Sequence, residues 1–187
     1  MRPARIRAIA EQAQLIHHPA CEAADLPAPL TPGPGLDRDD FIRYGLALRP
    51  GYDRLGRVLG QIAGLLILAR LGSRFESDWP TVATVVEQAR SAESELCGVT
   101  PPPAARQHHA RLLGAMQATL SVVRAVGQTL PRGEGLHDRL DAWTRDLQAA
   151  GRTLSGCAIE GLGLMPLDFS QACCSCAKAS ANSSAIH

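Results

Sequence analysis

Between His109 and Cys157 the chain reads HARLLGAMQATLSVVRAVGQTLPRGEGLHDRLDAWTRDLQAAGRTLSGC. In its first half His109, Leu112, Met116, Thr119, Val123, Val126 and Leu130 recur in alternating steps of three and four. That period puts them on one stripe of an α-helix. Pro131-Arg132-Gly133-Glu134-Gly135 supplies a turn, and Leu136, Leu140, Trp143, Leu147, Ala150 and Leu154 resume the same period. Two amphipathic helices joined by a short turn return antiparallel, each burying its stripe against the other. The pattern predicts a helical hairpin as the nucleus of an all-α fold.

Upstream the same logic adds two more helices. Asp37 caps a helical stretch through Phe41, Ile42 and Leu46, Pro50-Gly51 is expected to interrupt it, and a second stretch runs from Tyr52 to Leu71. Ser77 or Asp78 caps the next helix, with Pro80 in its first turn. Val82, Val85, Val86, Ala89 and Leu96 then lie on one face before Cys97-Gly98 ends it. Four helices of comparable length with short connections predict an up-down four-helix bundle. An additional N-terminal amphipathic helix carries Ile6, Ile9, Ala13 and Ile16, and a Cys-containing tail follows the bundle. The expected organisation is residues 1–18 as that helix, 19–36 as a Pro-rich linker, 37–160 as the bundle and 161–187 as a flexible tail. Counting outward from the turn near Phe75 sets Arg57 level with Glu93 and Arg54 level with Glu95.

Composition narrows the function classes. A chain of 187 residues, 45% hydrophobic, can bury a substantial core. A formal charge of +1, with Lys178 the only lysine and no dense basic run, disfavours nucleic-acid binding. The longest uncharged stretch, Val58 to Ala69, is 12 residues, short of the roughly 20 a membrane span needs. Met1 to Ile16 carries Arg2, Arg5, Arg7 and Glu11 and forms no apolar leader core, so the six cysteines are read as reduced thiols of a cytoplasmic protein.

Thiols and imidazoles offer the sharpest chemical expectation. Counted from Gly133, His109 lies as far back as Cys157 lies forward, so the hairpin sets them at one height, about 33 Å from the turn. Cys97 ends its helix at that same end, which predicts a cluster of Cys97, His109 and Cys157. Cys173, Cys174 or Cys176 of the tail would complete the sulfur and nitrogen set that Zn²⁺ takes tetrahedrally or that Cu⁺ accepts. Against this stands the frequency with which cysteine and a striped histidine are plain core residues.

Other motifs carry less. His17-His18-x-x-Cys21 makes half a metal site at a helix end, where histidine also suits the helix dipole. Glu134-Gly-Leu-His137 has the spacing used by di-iron bundles, but the second copy those sites need is missing. Asp37-Arg-Asp-Asp40 fits a helix start, and Trp79 and Trp143 fit core positions. No nucleophile elbow, phosphate loop or dinucleotide fingerprint is present.

Gly56, Gly60 and Gly64 recur every four residues, a spacing that lets two helix backbones approach. Because Leu55, Val58, Leu59, Ile62, Leu65, Leu66, Ile67 and Leu68 surround this helix, a central place in the core is the first expectation for it and a subunit contact the alternative. The resulting functional expectation is a non-enzymatic helical bundle that binds another protein or itself, through the glycine-bearing helix or the N-terminal helix. A Zn- or Cu-binding or thiol-redox bundle is the alternative.

Overall fold

The computed structural model describes residues 29–70, 79–128 and 135–165. The N-terminal amphipathic segment, His17, His18, Cys21, Leu130, Glu134 and the tail cysteines lie outside the described residues. Four α-helices follow one another: α1 (Arg38–Arg70), α2 (Trp79–Cys97), α3 (Arg106–Gln128) and α4 (Leu136–Ser155). Each packs on its neighbour in sequence and α4 closes the ring against α1, giving the expected all-α up-down four-helix bundle. Among the described residues there is no β-sheet, only the isolated bridges Gly33–Leu36 and Ile159–Leu164.

α1 begins where predicted, with the Asp37 carboxylate accepting from the Asp40 amide at 2.7 Å and Asp39 and Asp40 in the first turn. It does not stop at Pro50. The expected interruption is absent, and 33 residues run as one helix about 50 Å long. Two facts explain the continuity. Phe41, Tyr44, Leu48, Tyr52, Leu55, Val58, Leu59, Ile62, Leu65 and Leu66 form one buried face that keeps its phase through the proline. Pro50 itself, with Ala47 and Leu46, points to solvent. The Leu46 carbonyl, which loses its partner because proline has no N–H, can therefore bond to water. Burial of the flanking turns offsets the roughly 3 kcal/mol cost of an interior proline.

Two glycines of α1 are required by close packing. A Cβ on Gly51 would lie 2.7 and 2.8 Å from Cγ and Cδ2 of Leu96 on α2 and 3.2 Å from the Glu95 Cβ. One on Gly45 would collide with the side chain of Leu162, whose own Cβ stands 3.2 Å away. Gly56 is buried, but a Cβ on Gly60 or Gly64 would meet nothing within 4 Å. The helix that carries the series is buried along its apolar face, while Gly60 itself faces outward.

Along the predicted stripes of α3 and α4, Leu112, Met116, Thr119, Val123, Val126, Leu140, Leu147, Ala150 and Leu154 are buried, while Leu136 and Trp143 are only half-buried. Ion pairs mark the helix register. Arg54 grips Glu95 with both ends of its guanidinium, at 3.1 and 2.8 Å, as the antiparallel count predicts. Glu93 turns instead to Arg124 of α3 at 3.6 Å, so the expected Arg57–Glu93 pair is replaced. Arg70 pairs with Asp141 across α1 and α4. Such half-exposed pairs contribute only about 0–1 kcal/mol each, so they report alignment more than stability.

Three substitutions test this account by thermal and chemical denaturation. Gly51→Ala should destabilise by about 1–3 kcal/mol, because Leu96 is fully buried and has no free volume to enter. Gly45→Ala should cost less, because Leu162 is half-exposed and can move outward. Pro50→Ala should stabilise by about 1–3 kcal/mol, since it restores an amide to an unbroken helix.

Candidate functional site

The end of the bundle where α1 starts and α4 finishes holds most of the buried polar chemistry. α4 stops at Ser155, and Gly156 closes it with its amide donating to the Arg152 carbonyl. The chain then bends into a hook, residues 156–165. Ile159 and Leu164 exchange backbone hydrogen bonds at 2.9 and 3.2 Å around a single 3-10 turn, Glu160–Leu162. Gly163 takes the left-handed φ of 75° that this reversal needs, with the Arg49 guanidinium 3.3 Å from where a Cβ would stand. Ile159 and Leu164 are buried, so ordered packing continues past Glu160 into the first residues of the stretch assigned to the tail.

Two tyrosines, eight residues apart on α1, tie the hook down. The Tyr52 hydroxyl lies 3.1 Å from the Leu154 carbonyl and 2.9 Å from the Met165 carbonyl, and its one proton is shared between them. The Leu154 carbonyl already accepts from the Cys157 amide at 2.9 Å, and the phenol from α1 adds a second donor there while reaching the Met165 carbonyl on the far side of the hook. Tyr44 Oη lies 2.9 Å from His108 Nδ1, and His108 Nε2 lies 3.0 Å from the Cys157 carbonyl.

The roles in this relay follow from the acceptor at its end. A carbonyl only accepts, so Nε2 must carry the proton and donate it; in a neutral imidazole Nδ1 is then the acceptor, and the Tyr44 hydroxyl donates to it. Burial pushes the His108 pKa down, and the nearby positive charge of Arg111 and the neighbouring His109 lower it further, against the raising effect of the Cys157 carbonyl. The neutral tautomer is thus the one the site favours. Burial also holds both phenols well above the ordinary tyrosine range, with the Cys157 sulfur a lesser cause.

The hairpin count was right about height and one residue off in identity. His108, not His109, meets Cys157, and it meets the carbonyl rather than the sulfur. His109 is also buried, its ring 6.1 Å from that of Tyr44, and its Nδ1 has no hydrogen-bond partner among the described residues. Burial lowers its pKa as well. Cys157 is fully buried, and burial pushes its thiol up to about 11, opposed by Arg111; at neutral pH it is a packed apolar group rather than a nucleophile. Cys97 is exposed at the end of α2, and Cys173, Cys174 and Cys176 lie outside the described residues. Among the described residues no three His, Cys, Asp or Glu side chains come together to hold a metal ion.

Tyr44, Tyr52 and His108 are the residues that sequence reasoning passed over. The available signal was chemical: the chain has only two tyrosines, both on the apolar face of one helix, and a buried phenol needs a polar partner.

No family of known proteins, no curated protein and no solved structure matches the chain.

Removing either hydroxyl isolates the effect of the relay. Tyr44→Phe leaves a buried imidazole nitrogen without a donor, and Tyr52→Phe removes the phenol's bonds to the Leu154 and Met165 carbonyls. Each should lower unfolding free energy by about 1–3 kcal/mol in urea titrations, with helix content unchanged by circular dichroism.

Proposed function

We propose that this protein is a non-enzymatic, cytoplasmic helical bundle that works by docking a helix of a partner, a second copy or another protein, on the outer face of α1. The observation that carries this reading is the contrast among the glycines of that helix. Gly45 and Gly51 answer to internal contacts, whereas Gly60 and Gly64 have open space above them. A glycine in a helix interior costs roughly 1 kcal/mol relative to alanine, so two of them one turn apart are compensated if another backbone approaches there.

The neighbourhood supports a contact. Ile67, 43% exposed, continues the Gly60–Gly64 row by one turn, and Leu68 beside it is 42% exposed. Small residues beside large apolar ones suit the close crossing of two helices, with Arg57 and Gln61 as a polar rim. No described helix is long and apolar enough to cross a membrane.

Sedimentation velocity on the full chain and on Gly60→Arg and Ile67→Glu tests the reading. Self-association should weaken at least tenfold in both variants while their thermal unfolding stays close to wild type. If the wild type is a monomer at every concentration, the partner is foreign, and binding to it should be lost in the same two variants. Partner binding or self-association that is indifferent to both substitutions refutes the role of this face. Gly64→Ala checks the energetic premise: the monomer should gain up to about 1 kcal/mol of stability.

A further inference from the structure

We propose that the hook, residues 156–165, is a proton-sensitive latch, held on α1 by the Tyr44–His108–Cys157 carbonyl relay and released when that relay takes up a proton. Three segments meet at the His108 ring: α1 through Tyr44, α3 through His108 itself, and the hook through the Cys157 carbonyl. The titratable and charged groups acting on it are Tyr44 from α1, Arg111 and His109 from α3, and Cys157 from the hook. None of these is a carboxylate, so nothing in that set neutralises an imidazolium.

Protonation leaves the Nε2–H bond to the carbonyl intact but turns Nδ1 into a donor. Tyr44 must then accept at the atom from which it was donating and send its own proton elsewhere, in a buried position. The new charge also sits near Arg111. Admitting water relieves both costs, and the cheapest place to open is the hook. It is tied to α1 by the Leu162 contact at Gly45 and the Tyr52 bond to Met165 and seats only Cys157, Ile159 and Leu164 in the core, whereas the helices are anchored along their whole length. Opening uncovers the Gly45 notch and the Cys157 sulfur.

The sign follows from linkage. With the latch closed His108 binds its proton more weakly than an ordinary histidine, and with it open the ring regains a pKa of about 6.5. Acidification below about 6.5 therefore favours the open form, and the effect levels off below the closed-state pKa. Each unit of depression multiplies the opening constant by about ten.

Native-state hydrogen exchange on the full chain, read between pH 7.5 and 5.0 and corrected for intrinsic exchange, tests the latch. Protection of the Ile159, Leu162, Gly163 and Leu164 amides should fall on the order of tenfold, with the core amides of Leu96 and Met116 unchanged. His108→Gln keeps a donor for the carbonyl and cannot titrate, so the hook should become indifferent to pH, while His109→Gln should retain the response. Equal loss of protection in hook and core, or an unaltered response in His108→Gln, overturns the proposal. Should that variant fail to fold, an NMR titration of the wild type gives the answer: His108 titrating at an ordinary histidine pKa overturns the latch, and a lowered value moving in step with the hook amides supports it.

Discussion

The uninterrupted apolar face of α1 is the constraint on which the other elements depend. It packs against α2 on one side and α4 on the other, reaches α3 across the core, and carries the hook on its N-terminal turns. Because α1 has 33 residues and its partners 19 to 23, their ends cannot all coincide. One end of α1 needs other cover, and the hook together with the start of α3 provides it. A break at Pro50 would remove the platform for both tyrosines, since Tyr44 and Tyr52 stand on either side of it.

That geometry concentrates polar groups where four chain segments end or turn. Helix ends leave carbonyls without amides, and burying them demands donors from elsewhere. At this end Tyr52 donates directly to the Leu154 and Met165 carbonyls, and Tyr44 acts through His108 on the Cys157 carbonyl, which has no backbone donor of its own among the described residues. The apolar core specifies that the helices pack, and these hydrogen bonds specify where the chain goes after α4. Their directionality matters more than their net energy, because each acceptor left empty in a buried site costs more than the bond contributes when made.

The two glycine sets of α1 separate structure from use. Gly45 and Gly51 let Leu162 and Leu96 seat against the backbone, and an added methyl there would displace neighbours. Gly60 and Gly64 answer to no close contact among the described residues. The same residue type thus has an internal cause at one end of the helix and, on the reading offered above, an external one at the other.

Much of the architecture could be read from residue order. Hydrophobic period and capping Asp37 determine helices, their antiparallel return and the ring they close, since these depend on local propensity and on which faces are apolar. The Arg54–Glu95 pairing and the burial of Cys157 follow from counting along that period. Three-dimensional packing alone decided that α1 passes through Pro50, that Glu93 chooses Arg124 over Arg57, and that His108 rather than His109 reaches the α4 terminus. The choice between His108 and His109 is a rotation of one residue, about 100° around a helix, and only contact between side chains from distant parts of the chain selects among such rotations or holds a helix together through a proline.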